Sequence, residues 1–316
     1  MNRSPNLVRL LERRTRALHR HLPRAIAGDD IGVHQARVAS RRLREAVPVL
    51  TDGLNGSKRG KARRKIRRLT RALGTVRELD VTLQLLEEMG EKPGVSRPAV
   101  VDVRAHVIEE RERRRARMHE RLADVNGDKL AKRLESVRLA LLAPTPGHNW
   151  RAALASRIAK RARRLDRAIE QAGQIYAPEA LHQVRIAAKK LRYAVEIATE
   201  SGAAPAAATV RTLKRVQDAL GRLHDLQVLQ HHVAAVAAAP RGAQRDTPDV
   251  GLAVLARRIE DECRHLHGRY IAMLPLLREA LETSRLQVAV RLTAPRRSRA
   301  AKMALPARRR TAGSRS

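Results

Sequence analysis

Aromatic residues are almost absent from this chain of 316 residues, which has no Phe, one Trp and three Tyr. Proteins that bind single-stranded nucleic acid commonly stack bases on aromatic side chains, and each such contact contributes about 1–3 kcal/mol. The chain has few side chains for that purpose, so it is better suited to an anion made of phosphates without bases. Binding to duplex nucleic acid through its phosphates stays open.

Cysteine and long apolar runs are also scarce. The single cysteine, Cys263, excludes an intramolecular disulfide and a cysteine-cluster metal site. No uninterrupted apolar run reaches the length of a membrane span, and the N-terminal segment carries charges throughout. We therefore expect a cytoplasmic protein that needs no membrane, no cofactor and no metal.

Acidic residues are outnumbered, with 32 Asp and Glu against 66 Lys and Arg and a formal net charge of +34. The last 24 residues hold 8 basic and no acidic residues, which leaves +26 on residues 1–292. Such an excess repels itself in a compact state, so we expect an anionic partner to offset it. Residues 293–316 are basic, small and interrupted by prolines, which predicts a disordered tail.

A segment of 14 residues occurs twice. HQARVASRRLREAV at residues 34–47 and HQVRIAAKKLRYAV at residues 182–195 are identical at 8 positions. At 3.6 residues per turn, the spacing places four basic side chains of each copy on one helix face. These are His34, Arg37, Arg41 and Arg44 in the first copy, and His182, Arg185, Lys189 and Arg192 in the second. The pattern predicts one charged groove built from two similar halves.

The basic face of the first copy borders an apolar arc that can be buried, formed by Val33, Ala36, Leu43, Val47 and Leu50. The repeat extends further, because four leucines and four arginines of the predicted helix 3–22 are matched 147 positions later, in the predicted helix 150–171, by Leu or Ile and by Arg or Lys. The pattern Leu-Gly-x-x-(Arg/His)-(Glu/Asp)-Leu is also present twice, at 73–79 and 220–226. These repeats predict an all-α fold of two tandem pseudo-symmetric helical bundles, 1–142 and 150–292, which enclose a basic central groove.

Further helices are predicted at about 61–89, 98–125, 128–142, 210–233, 250–274 and 275–291. Helices 3–22 and 150–171 should have strongly basic outer faces. Gly74 and Gly221 lie inside predicted helices, where glycine costs about 1 kcal/mol relative to alanine. We therefore expect a close helix contact or a break at these glycines. Pro48 should end or kink the first histidine-bearing helix.

The doubled pattern His-x-x-Arg-x-x-x-(Arg/Lys)-(Arg/Lys)-Leu-Arg, followed each time by the Leu-Gly segment, resembles the CHAD family, named for its conserved histidine α-helical domain. The resemblance covers essentially residues 1–292. It implies two pseudo-symmetric bundles around a basic channel and non-enzymatic binding of inorganic polyphosphate, with association to polyphosphate granules in some relatives.

The resemblance and the basic faces of the following helices together predict sixteen polyphosphate-binding residues. These are His34, Arg37, Arg41, Arg42, Arg44, Arg64, Arg68, His182, Arg185, Lys189, Lys190, Arg192, Tyr193, Arg211, Lys214 and Arg215. The copies differ where Glu45 stands opposite Tyr193 and where His224 replaces the Arg77 of the first copy. Because an anion raises the pKa of a nearby histidine, we expect tighter binding at mildly acid pH.

Two other functions stay open from the sequence. A basic nucleic-acid-associated protein would use the same surfaces and the tail to bind duplex phosphates weakly. A phosphatase or phosphotransferase would use His34 or His182 as a nucleophile, and it would need a paired carboxylate or a metal site that the sequence does not offer. Glu78 and Asp225 are interpreted as helix–helix ion-pair partners and not as catalytic acids.

Overall fold

The computed structural model describes residues 5–51, 57–74, 76–123, 125, 127–142, 149–239, 249–288 and 292. Within them the chain forms ten α-helices, one short π-helix and no strand, which confirms the predicted all-α fold. The helices are α1 (Pro5–Ile26), α2 (Asp30–Leu50), α3 (Ser57–Ala72), α4 (Arg77–Gly90), α5 (Arg97–Ala123), α6 (Gly127–Leu142), α7 (Trp150–Ala172), α8 (Pro178–Glu200), α9 (Ala207–Ala238) and α10 (Val250–Thr283). The π-helix spans Ser284–Val288, and the predicted tail at 293–316 lies outside the described residues.

The helices pack in the same order in the two halves of the chain. Helix α1 packs on α2, α2 on α3, and α4 on α5, while α7 packs on α8, α8 on α9, and α9 on α10. Contacts of α2 with α8 and of α4 and α5 with α9 join the halves. A tandem repeat would produce this order of packing, although the repeat boundaries at 1–142 and 150–292 stay a prediction.

The core is aliphatic and continuous through both halves. The apolar arc predicted on α2 lies inside it, since each of its five members is at most 2% exposed. On α8 the corresponding Val184, Leu191 and Val195 are fully buried. Because the apolar arcs face the core, the basic faces beside them lie at the edge of the core and close to the opposite half.

The single helix predicted over 61–89 is wrong, because α3 ends at Ala72 and α4 begins only at Arg77. Helix α9, in contrast, continues through the matching Gly221. The residues after each glycine explain the difference: Thr-Val follows Gly74, whereas Arg-Leu, which favours a helix, follows Gly221. A Cβ on Gly221 would lie 4.0 Å from Nε of Arg185. The break expected at these glycines therefore occurs in the first half, whereas at Gly221 there is room for a side chain and no close helix contact.

The boundary predicted between 274 and 275 is also wrong, because α10 runs as one helix through Pro275. A proline inside a helix removes a hydrogen bond and costs about 3 kcal/mol. Leu277 and Leu281 follow it and are almost fully buried, and each contributes about 1.5–3 kcal/mol by leaving water. Burial of this last segment of α10 therefore offsets the free-energy cost of Pro275. Pro48 behaves as predicted, since α2 ends two residues later.

Arg14 corrects the prediction that the basic face of α1 is directed outward. It is only 4% exposed. Its Nη1 donates to the carbonyl oxygen of Arg42 at 2.8 Å, and its Nη2 donates to Glu200, the last residue of α8, at 3.1 Å. Burial lowers the pKa of Arg14 overall, and the nearby carboxylate of Glu200 opposes this effect only in part. Arg14 therefore joins α1 to its neighbour α2 and to α8 of the other half.

Arg161, which occupies the matching position on α7, makes the reciprocal connection. It is 9% exposed, donates to the carbonyl oxygen of Lys190 in α8, and forms an ion pair with Glu45 in α2. Burial alone would raise the pKa of Glu45, but Arg161 and Arg157 lower it overall. The ion pairs made by Arg14 and Arg161 thus cross between the halves in opposite directions and fix α2 relative to α8.

We expect Arg161→Ala to lower the free energy of unfolding by about 3 kcal/mol, because it leaves the carboxylate of Glu45 buried with a weaker partner. Urea denaturation measures this change. The matched control is Arg163→Ala on the exposed side of α7, which should change stability by less than about 0.5 kcal/mol. Equal losses in the two variants would show that the ion pair does not stabilise the contact between the halves.

Candidate functional site

The two helices that carry the repeated segment contact each other, α2 against α8. Their basic faces meet in a group that we call the inner cation cluster: Arg37 and Arg41 from α2, and Arg185 and Lys189 from α8. All four side chains are half-buried. Burial, and then neighbouring cations that include Arg41 and Arg185, lower the pKa of Arg37 to about 10. The two predicted basic faces therefore converge on one place.

No carboxylate neutralises the inner cation cluster directly. In the described part of the chain, none of its four members forms an ion pair within 4.0 Å or a side-chain hydrogen bond. Burial without a partner changes the pKa of Lys189 the most. Burial and then four surrounding arginines lower this pKa from 10.5 to about 7. At neutral pH the free protein therefore carries only part of the charge of this lysine.

Two carboxylates, Glu78 of α4 and Asp225 of α9, border the cluster. Both act electrostatically on Arg185. As predicted, Glu78 forms a helix–helix ion pair, with Arg114 of α5 at 3.3 Å. Asp225, contrary to the prediction, forms no ion pair among the described residues, and burial raises its pKa. These acids offset the positive charge of the cluster only in part.

His182 contacts His224 of α9 at one end of the cluster. Their Nδ1 atoms are 3.1 Å apart and their ring centres 4.4 Å apart. One Nδ1 must carry a proton and donate it while the other accepts, so a doubly protonated pair would lose this bond. Burial, and then Arg185, lower the pKa of His224 to about 4. Burial likewise lowers the pKa of His182, so both rings are neutral at pH 7.

His34 has a different neighbour, because Arg77 of α4 stands where the second half has His224. Burial, and then the charge of Arg77, lower the pKa of His34. Its Nδ1 and the Nε of Arg37 are buried without a hydrogen-bond partner among the described residues. Both histidines thus lie at the cluster in electrically neutral form.

Arg192, the next basic residue on α8, is already neutralised. Its Nε donates to Gln217 at 2.9 Å, and it forms an ion pair with Glu196. Its guanidinium lies 4.8 Å from the ring centre of Tyr193, which is only 9% exposed. The buried ring of Tyr193 therefore packs against the guanidinium of Arg192. Because Arg192 is already paired with Glu196, we expect it to attract an anion less strongly than the inner cation cluster does.

The other predicted site residues lie outside the cluster. Arg44 is 3.8 Å from the carboxylate of Glu45. The remaining seven are exposed: Arg42, Arg64, Arg68, Lys190, Arg211, Lys214 and Arg215. Water and salt screen such cations, so each contributes little alone. The structure brings together only the residues on the facing sides of α2 and α8.

Four residues that border the cluster were missing from the predicted set: Arg77, Glu78, His224 and Asp225. All four belong to the doubled Leu-Gly-x-x-(Arg/His)-(Glu/Asp)-Leu segment. Its matched spacing in the two halves was the signal for a shared role. The different side chains at the matched positions concealed that signal.

Two negative findings apply to the described ranges alone. No group of three or more His, Cys, Asp or Glu residues there could hold a metal ion. None of the helices there is both long enough and apolar enough to span a lipid bilayer.

The fold and the site thus define an all-helical protein with a central cluster of uncompensated cations. A family model described as the CHAD domain matches residues 9–234, and the chain belongs to this family. No curated protein matches it. The predicted family is therefore confirmed.

Two solved structures are similar in fold. The CHAD domain from the plant Ricinus communis has 20% sequence identity and a TM-score of 0.59, over 89% of this chain and 91% of that one. PptA from Streptomyces chartreusis has 18% identity and a TM-score of 0.57, over 89% of this chain and 100% of that one. At these identities the likeness establishes the fold.

We expect Lys189→Met to stabilise the free protein, because it removes a half-buried charge that four arginines repel. The folded pKa of about 7 lies below the unfolded value of 10.5. The penalty is therefore complete below pH 7 and disappears as the pH rises towards 10.5. Urea denaturation should show a gain on the order of 1–3 kcal/mol at pH 6, and a much smaller gain at pH 10.

Lys190→Met is the matched control, since it removes the exposed lysine next along the same helix. It should change the free energy of unfolding by less than about 0.5 kcal/mol at both pH values. If Lys189→Met changed the free energy of unfolding as little as this control does, the charge of Lys189 would not be destabilised by the surrounding arginines.

Proposed function

We propose that this protein binds inorganic polyphosphate through the inner cation cluster and catalyses no reaction on it. The observation that carries the proposal is that four half-buried cations from two helices face each other without a carboxylate at ion-pair distance. Charges removed from water are unfavourable unless they are paired, and the net charge of +34 adds repulsion. A bound polyanion would offset both effects.

The side chains of the cluster suit a chain of linked phosphates. Arg37, Arg41 and Arg185 each offer a planar fork that can donate to two oxygens of one phosphate. Hydrogen bonds between charged groups are shorter and about twice as strong as neutral ones. Membership of the CHAD family, which is associated with polyphosphate, supports the same ligand. The contact would also retain the protein, expected in the cytoplasm, on polyphosphate granules.

The aromatic residues favour a ligand without bases. Trp150, Tyr193 and Tyr270 are at most 9% exposed, and Tyr176 is half-buried against other side chains. None of the four presents a free ring on which a base could stack, as single-strand binders require. Polyphosphate needs only cations. The aromatic residues therefore favour polyphosphate over single-stranded nucleic acid as the ligand of the cluster.

Binding to duplex nucleic acid is the second candidate, and the exposed cations of α3 and α9 favour it. Arg64, Arg68 and Arg215 form no ion pair in the described ranges. Such side chains can reach the convex backbone of a duplex. A nucleophilic role for His34 or His182 has no comparable support, because the ring partner of His182 is another histidine and not an orienting carboxylate.

Arg41→Ala combined with Lys189→Ala is expected to weaken polyphosphate binding by at least about tenfold for each residue, because each removes a charge-assisted contact. The slope of log affinity against log salt concentration should flatten by about 2. Titration with long-chain polyphosphate over a salt series measures both quantities. Circular dichroism should show unchanged helicity.

Lys160→Ala combined with Arg163→Ala is the matched control, since it removes two exposed cations from α7. It should leave the affinity nearly unchanged. An equal loss in both double variants would indicate diffuse attraction, and loss of helical signal in the first would mark Arg41 and Lys189 as structural. Long-chain polyphosphate should also displace duplex DNA at far lower phosphate concentration than the reverse. If DNA displaces polyphosphate more easily, the nucleic-acid candidate replaces the proposal.

The affinity for polyphosphate should be about tenfold higher at pH 6 than at pH 8. Lys189 has a pKa of about 7 in the free protein, and a bound polyanion raises this pKa by favouring the charged amine. Above pH 7, the binding of polyphosphate is therefore coupled to the uptake of a proton by Lys189. Lys189→Arg keeps its charge throughout this range and should reduce the ratio of the two affinities towards one. Equal wild-type affinities at pH 6 and pH 8 would exclude this linkage.

A further inference from the structure

We propose that Lys189 is a site of covalent acylation by acyl phosphates, which are mixed anhydrides of a carboxylic acid and phosphoric acid. The arginines of the inner cation cluster would hold the phosphate, and the lysine amine would attack the neighbouring acyl carbon. The inference uses the anion-binding property of the proposed function, but it does not require that polyphosphate is the ligand.

The position of Lys189 is the first support. Its side chain is half-buried where α2, α8 and α9 meet, so cations approach it from more than one helix. The charged and titratable groups that act on it are Arg37 and Arg41 of α2, His182, Arg185 and Arg192 of α8, and His224 and Asp225 of α9. An acyl phosphate that enters for its phosphate charge would therefore be held next to this amine.

The protonation state of Lys189 is the second support. With a pKa of about 7, about half of its amine groups are uncharged at pH 7, compared with about one in three thousand for an ordinary lysine. No carboxylate within ion-pair distance in the described part of the chain holds the proton on this amine. Only the uncharged amine has the lone pair that attacks a carbonyl carbon.

Lys190 provides an internal comparison because it follows Lys189 on the same helix and is exposed. Successive helical residues lie about 100° apart around the axis, which places Lys190 outside the cluster. If solvent exposure alone determined the rate of acylation, Lys190 would be modified first. If binding of the reagent's phosphate by the cluster determined the rate, Lys189 would be modified first.

The reaction balances without a further reactant. The amine nitrogen of Lys189 forms a bond to the acyl carbon, and the bond from that carbon to the phosphate oxygen breaks. Inorganic phosphate leaves with the electron pair, and the nitrogen releases one proton to it or to water. The product is a neutral amide, so the cluster loses one of its four cations, and its affinity for polyanions should fall as it does in Lys189→Ala.

The test incubates the full-length protein with acetyl phosphate at pH 7 and follows the acetylation of Lys189 and Lys190 by mass spectrometry of peptides cut at glutamate. Lys189 should react at least about tenfold faster than Lys190, because the arginines hold the phosphate beside an amine that is about half uncharged at pH 7. Long-chain polyphosphate should slow the reaction at Lys189 and leave Lys190 unaffected. Acetylated wild type should lose polyphosphate affinity, whereas Lys189→Arg treated in the same way should keep it.

Equal acetylation of the two lysines, or faster acetylation of Lys190, overturns the inference even if polyphosphate binds tightly. Selective acetylation of Lys189 that polyphosphate does not slow upholds the inference, and it counts against polyphosphate binding at this cluster. A neutral acetyl ester serves as the comparison reagent. If it favours Lys189 as strongly as acetyl phosphate does, the arginines do not hold the phosphate, and that part of the proposal is wrong.

Discussion

Uncompensated positive charge at the contact between α2 and α8 is the constraint on which the rest of the structure depends. Arg37, Arg41, Arg185 and Lys189 are half-buried, yet none has a carboxylate at ion-pair distance in the described residues. An isolated pair of helices would separate under this repulsion, since each buried charge loses hydration without gaining a partner. Other parts of the molecule must therefore hold the two helices together.

Two features supply this support. Apolar arcs anchor both helices in the common core, with Leu43 and Leu191 fully buried. The crossed ion pairs of Arg14 with Glu200 and of Arg161 with Glu45 then connect the first helix of each half to the second helix of the other half. Glu45 of α2 and Glu200 of α8 are thus paired with arginines of α7 and α1 and do not neutralise the inner cation cluster.

The sequence predicted those elements whose signal is local and repeated. Helical periodicity and the doubled 14-residue segment identified α2, α8, the buried arc of α2 and the converging cations. It could not separate the buried Arg14 from its exposed neighbour Arg13, because a run of arginines has the same pattern whichever one finds a carboxylate across the fold. The place of Asp225 beside the cluster likewise depends on contacts between segments distant in the chain.

The two halves share a pattern of helix packing but carry different chemistry, and the difference is concentrated at the cluster. Arg41 in the first copy corresponds to Lys189 in the second. A guanidinium stays charged in any environment a protein offers, whereas an amine loses its proton when buried beside other cations. Had the second copy kept arginine, the cluster would hold the same charge at every physiological pH and would offer no nucleophile. The single exchange of arginine for lysine therefore makes one of four otherwise similar cations responsive to pH, to a bound anion and to acylating reagents.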